Sequence, residues 1–219
     1  CDWSSDVCSS DLSQRTKQHA EVFTPLAVCK RMNDDIDEVW AESNPNWQKT
    51  VDSRRLEITC GEAPFLVTRY DVSTGEHIPV SERVGILDRK LRLVNENTDS
   101  GSDWLRWARR AVEASYGYEF QGDNLLIARI NLLQTFKEAF KVRFNVSPPV
   151  KLLSEIANVI VWNVWQMDGL THAVPNTGIN EESEQLDFFA VLNLNGETSP
   201  KEETNPHCKI FDWRGKKSL

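Results

Sequence analysis

The feature that most narrows the fold of this chain is an alternation of three short apolar runs with two long helical stretches. The runs are "LEIT" from Leu56, "YGYEF" from Tyr116 and "NVWQMD" from Asn163. Each is short and rich in β-branched or aromatic residues, so each predicts a buried strand. The first gap holds "VSERVGILDRKLRLVNEN", with Val84, Leu87, Leu91 and Val94 on one helical stripe. It also holds "SDWLRWARRAVEAS", a helix capped by Ser102 that turns Trp104, Trp107, Ala108 and Ala111 inward. The second gap holds "GDNLLIARINLLQTFKEAF", with Leu125, Leu132, Phe136 and Ala139 on one side, and a helix starting at Pro148-Pro149. Strand, helix, strand, helix, strand predicts an α/β fold built on a mostly parallel, doubly wound sheet.

Upstream, Thr24-Pro25 suits a helix start, with Thr24 as N-cap and Val28, Met32, Ile36 and Val39 recurring at helical spacing. The chain therefore divides into an N-terminal helical segment over 13–50, an α/β core over 51–170 and a tail over 171–219. In the tail, "LDFFAVLNL" and "CKIFDWR" are two apolar pieces able to pair as a hairpin. The first twelve residues, "CDWSSDVCSSDL", show no periodicity and resemble the translation of a sequencing-library adapter. They are set aside as non-native, and the chain is expected to be truncated at both ends.

The formal charge is −8, of which Asp2, Asp6 and Asp11 supply three charges. That balance carries no electrostatic footprint for nucleic acid, so any DNA contact is expected from regions outside this sequence. Excluding Cys1 and Cys8, the cysteines are Cys29, Cys60 and Cys208, an odd and scattered set that makes no disulfide framework and no CxxC pair. His207 and Cys208 lack a second ligand pair at finger-like spacing, so no metal is expected. No run reaches the roughly 18 to 20 apolar residues of a membrane span, and the cytoplasm is the expected compartment.

The chemistry is expected at the carboxyl ends of the strands, where open α/β sheets bind their ligands. The first strand carries Glu57 and turns through Gly61, but Ala63 and Pro64 replace the later glycines of a GxGxxG loop. No pyrophosphate cradle follows, and a phosphate-free cofactor with an amino-acid end, S-adenosylmethionine, fits better. Glu119 ends the second strand, where a carboxylate accepts both hydroxyl hydrogens of a ribose. Asp168 ends the third, in place to receive an adenine amino group. Taken on its own residues, Cys60 reads as a small buried apolar group, and Trp104, Trp107, Trp162 and Trp165 read as packing.

The runs "EVFTP", "LEITCGEAPF", "YGYEFQGDNLLIARINLL" and "WQMDGL" are similar in order and content to the adenine-specific DNA methyltransferases of restriction–modification systems. The class resembled is the one in which methylase and nuclease often share one polypeptide, and the similarity runs from about His19 to Leu170. The resemblance implies a Rossmann-like S-adenosylmethionine-dependent methyltransferase fold, incomplete at its C-terminus, that methylates the exocyclic amine of adenine. Carried over, Phe23, Thr24 and Pro25 match the N-terminal cofactor motif, and Glu57, Cys60, Gly61 and Phe65 the glycine motif. Glu119 matches the ribose-binding acid and Asp168 the adenine contact, with Glu57 near the methionyl ammonium. The implied partners are double-stranded DNA, through regions missing here, and a fused or separate nuclease or specificity subunit.

Three departures accompany the resemblance. Ala63 stands where the family has a second glycine. The interval from Glu57 to Glu119 implies an inserted helix. The Asn- or Asp-Pro-Pro-aromatic motif that holds a flipped adenine is absent, and "NPHC" at Asn205–Cys208 reads better as a turn before a hairpin strand. A catalytically inactive, methylase-like binding domain is the alternative expectation; a nicotinamide dehydrogenase is disfavoured by the missing glycines.

Overall fold

The computed structural model describes residues 24–71, 74–175 and 208–218. Over these residues the chain is mixed α/β, with six helices, a three-stranded parallel sheet and a small hairpin. Helix α1 spans Leu26–Ser43 and α2 spans Trp47–Asp52, followed by strand β1 at Arg55–Glu57. Helices α3 (Ile86–Asn97) and α4 (Gly101–Glu113) lead to β2 (Ser115–Glu119). Helices α5 (Gly122–Phe144) and α6 (Val150–Asn163) lead to β3 (Val164–Gln166). Strands β4 (Phe211–Asp212) and β5 (Lys217–Ser218) pair antiparallel.

The three expected strands form one sheet in the order β1-β2-β3, with Glu57 opposite Gly117 and Glu119 opposite Gln166. Helices α3 to α6 contact one another and share one layer. Ser115 turns toward that layer, its hydroxyl donating to the Ala111 carbonyl at 2.9 Å. By alternation Gly117 and Glu119 face the same way. Double winding is not seen among the described residues, where the sheet has three strands in consecutive order. Strands in consecutive order with crossovers of one hand keep their helices on one side, and covering the second face requires a reversal of strand order. Among the described residues that second face, with Leu56, Tyr116, Tyr118 and Trp165, meets the hairpin and Trp162 of α6, Tyr116 Oη donating to the Phe211 carbonyl at 3.5 Å. There Phe211 packs on Trp162 and Trp213, and Trp213 Nε1 donates to Asn163 Oδ1 at 2.7 Å. The observed partner of "CKIFDWR" is thus Lys217–Ser218; "LDFFAVLNL" lies outside the described residues.

The helical stripes of α3 to α5 are buried as their periodicity predicts, through Leu87, Leu91, Val94, Trp104, Ala108, Ala111, Leu125, Leu132 and Phe136. Three local expectations change. Ser100, not Ser102, caps α4, its Oγ accepting the Asp103 N–H at 3.1 Å. In α1 the cap position is Pro25, without a side-chain cap, and Val28, Met32, Ile36 and Val39 are all exposed. That helix docks instead through Cys29 and Asn33, because the segment beside it presents backbone carbonyls that need donors. Asn33 Nδ2 donates to the Phe65 and Val84 carbonyls, both at 3.0 Å, and Arg89 reaches Asp34 and Asp37.

The third change is that α3 starts at Ile86 and leaves Val84 half-buried before it. Gly85 sits so close to the preceding loop that a Cβ would lie 2.5 Å from the Leu66 carbonyl oxygen and 2.6 Å from Val67 Cα. Gly85→Ala is expected to destabilise the fold by about 1–3 kcal/mol through overpacking. Chemical denaturation checks it, and an unchanged midpoint would show that the loop yields freely.

Candidate functional site

The loop leaving β1 is unusual in its backbone. Thr59, Gly61 and Ala63 all adopt left-handed conformations, with φ of 50°, 55° and 66°. Glycine takes this region without penalty; a β-branched threonine and a buried alanine do not. Strain of this kind persists only where the surroundings fix the chain, and the ties are visible. The Cys60 N–H donates to the Tyr118 carbonyl at 2.7 Å, and the Gly61 N–H donates to Glu119 Oε2 at 2.6 Å. Cys60 Sγ lies over β2 at Gly117, where an added Cβ would approach it to 3.2 Å. The glycine of "YGYEF" therefore makes room for Cys60. Burial pushes the Cys60 thiol well above its usual range, which leaves it a packing group.

The structure brings Glu57, Glu119 and Asp168 to the same end of the sheet, and none of the three lines the hollow described below. Glu57 is only 8 % exposed, and its carboxylate accepts the Phe65 N–H at 3.2 Å and the Leu66 N–H at 3.0 Å. Burial pushes this carboxyl up to about 8 against the pull of those two donors, and the nearby Glu119 charge adds to the rise. Glu119 is 6 % exposed and holds Gly61 through one oxygen and the Gln121 N–H, at 3.0 Å, through the other. Each oxygen of a carboxylate has a second lone pair left for a hydroxyl.

Asp168 lies at the surface, where its Oδ1 accepts the Leu170 N–H at 2.8 Å, which with Thr171 holds its carboxyl below the usual range. The turn it closes sits beside the β1 loop, since a Cβ on Gly169 would be 3.6 Å from Ile58 Cγ2. Phe23 is outside the described residues; Thr24, Pro25 and Phe65 are within them.

A small, half-open hollow does form one step from this rim, between the start of α1, the segment after the β1 loop and the flank of α5. Thr24, Cys29, Glu62, Arg69, Tyr70 and Asn131 are among its lining. Glu57 buttresses its wall through Phe65 and Leu66, the neighbours of the lining residues Pro64 and Val67. Four lining side chains form one network. The Tyr70 hydroxyl donates to the Glu62 carboxylate. Asn131 Nδ2 donates to Tyr70 Oη at 3.1 Å and to the Glu62 carbonyl at 3.2 Å, while its Oδ1 accepts from Arg69 Nη1 at 3.3 Å. Behind them Glu138 receives Arg69 at 2.7 Å and the fully buried Arg83 at 2.5 Å.

Glu62, Arg69, Tyr70 and Asn131 match no functional position of the motifs in the sequence. The available signal was a pair of asparagines, Asn124 and Asn131, at two-turn spacing on the buried side of α5. A buried amide on an apolar face needs partners, and here they are the lining of the hollow.

Searches of protein-family models, curated proteins and solved structures found no match for this chain. Among the described residues no three His, Cys, Asp or Glu side chains gather as metal ligands, and no helix is long and apolar enough to cross a membrane.

Proposed function

We propose that this chain carries the S-adenosylmethionine-binding part of a DNA adenine N6-methyltransferase of restriction–modification type, on a Rossmann-like fold. The observation that carries the proposal is the rim of the sheet. Parallel strands β1 and β2 end in Glu57 and Glu119, Asp168 follows the end of β3 by two residues, and a left-handed loop from β1 is tied down onto Glu119. Carboxyl ends of parallel strands with a tight first turn are where α/β sheets receive nucleosides. The order of the four motifs supports the same reading. Glu119 would accept the ribose hydroxyls, Asp168 the adenine amino group, and Thr24 and Pro25 would flank the methionine portion.

The cofactor would supply an electrophilic methyl on its sulfonium. The adenine acceptor and the DNA partner rest on the resemblance, since an Asn- or Asp-Pro-Pro-aromatic run is not present in these 219 residues.

Calorimetric titration of the chain with S-adenosylmethionine tests the proposal. Binding is expected, and Glu119→Ala is expected to weaken it at least roughly ten-fold, the scale of one lost charge-assisted hydrogen bond. A folded chain that takes up no S-adenosylmethionine would sink the reading.

A further inference from the structure

Helix α1 is amphipathic in a way its docking does not use. It is held to the body through Cys29 and Asn33, while Val28, Met32, Ile36 and Val39 run along its outer side, 39 to 70 % exposed. The stripes of α3 to α5 with the same periodicity are buried, so this one is an apolar face left bare among the described residues. From Val28 to Val39 it extends about 16 Å along the helix. A continuous stripe on a helix already anchored from behind is a seam for another helix.

The charges beside the stripe say which helix fits. At 100° per residue, Arg31, Asp35, Glu38 and Glu42 fall along one edge of it, and Ile36 widens it on the other. None of those four charges has an ion-pair partner among the described residues. Lys30, Asp34 and Asp37, away from the stripe, are paired with one another or with Arg89. The unpaired edge is basic in its amino half and acidic in its carboxyl half, with Arg31 and Glu38 two turns apart.

Such an edge is complementary to itself when reversed. If two copies of α1 pair antiparallel about a two-fold axis, each Val28 meets Val39 of the other copy, and each Arg31 lies against Glu38 of the other copy. A parallel pair would set Arg31 level with Arg31 and the acids level with one another, with no opposite charges to match. Asp35 falls near the middle of the seam, opposite Met32, where a polar side chain fixes register at a cost in stability. A seam this short covers less than the roughly 800 Å² per partner of a standard interface. The pairing is therefore weak and depends on concentration.

We propose that the outer face of α1 is a self-association surface on which a second copy of this chain docks antiparallel, with Arg31–Glu38 pairs on both sides of the axis. The test is sedimentation equilibrium of the full chain from micromolar to millimolar concentration. A reversible monomer–dimer equilibrium is expected, weakened by salt and abolished by Met32→Glu. Arg31→Glu and Glu38→Arg are each expected to weaken it at least roughly ten-fold, because each turns two attractive contacts repulsive. The double variant restores both pairs with their signs exchanged and is expected to recover to within about three-fold of the wild type. All these residues lie on the surface, so circular dichroism should show the fold unchanged. A chain that stays monomeric throughout would overturn the proposal. So would a dimer that survives Met32→Glu, or single charge reversals that the double variant fails to rescue. Titration with S-adenosylmethionine is a separate measurement, so this proposal and the proposed function fall independently.

Discussion

Trp104→Ala is expected to cost about 3–5 kcal/mol of folding stability, the largest effect of any single truncation in the helix layer. Trp104 is fully buried, and its ring meets Phe136, Phe140 and Phe144 at centroid distances of 6.0, 5.8 and 5.2 Å. Two of those contacts are edge-on, the arrangement favoured by the ring quadrupoles. Removing the indole deletes the knob by which α4 locks onto α5, and the rigid backbones on either side cannot close the cavity.

Trp104→Phe separates packing from polarity. The indole Nε1 has no hydrogen-bond partner among the described residues, so phenylalanine loses area but also removes a buried, unpaired donor. Its cost is expected to be well below that of alanine. Denaturant melts of the two variants check this. A loss under about 1 kcal/mol for Trp104→Ala would show that the cluster does not anchor the fold.

Lys90→Met is expected to give a stability change that depends steeply on pH. The Lys90 ammonium is buried beneath the amino ends of β1 and β2, where Nζ donates to the Ser53 carbonyl at 2.6 Å and the Ala114 carbonyl at 3.0 Å. Burial pushes its pKa down to about 7; the Arg55 charge lowers it further, and Asp52 and Asp37 oppose the shift. In the unfolded chain the same amine titrates near its ordinary value of 10.5. Between those values the unfolded state holds a proton that the folded state has released. Stability therefore rises with pH across the window and is lost as pH falls back through about 7.

Methionine keeps the volume and removes both the titration and the two hydrogen bonds. Near pH 9 the variant is expected to lose about 2–4 kcal/mol, the scale of two buried carbonyls deprived of a donor. Near pH 6, where the wild type must bury a charge, the difference should shrink or change sign. Denaturation at the two pH values measures it, and an identical loss at both would contradict the buried titration.

These two residues also show how unequally the fold was written into the chain. Trp104 stands on a stripe with Ala108 and Ala111, so its burial followed from spacing alone. Lys90 occupies α3 one residue before Leu91, and nothing local distinguishes it from an exposed lysine. Its burial depends on two carbonyls from segments that precede different strands. The same contrast runs through the candidate site. Glu119 was placed at a strand end by the length of the run before it, whereas Asp168 lies two residues beyond the end of β3. That Glu57 would turn inward to Phe65 and Leu66, and that Glu62 would turn to the hollow with Tyr70, depended on left-handed residues at 59, 61 and 63. Side-chain type does not announce such a conformation when the residues are threonine and alanine.

The stripe of α1 failed for a related reason. Val28, Met32, Ile36 and Val39 predicted a buried face, yet the helix was drawn by the carbonyls of Phe65 and Val84 to the side carrying Asn33. Sequence alone determined the parallel strands, their order along the chain and the apolar faces of α3 to α5, because periodicity is a local property that burial rewards directly. Only the tertiary structure decided that the helices share one side of the sheet, which carboxylates face inward, and that Arg69, Asn131 and Glu62 meet. Those outcomes depend on backbone donors and acceptors from distant segments finding one another, and no local pattern records where they lie.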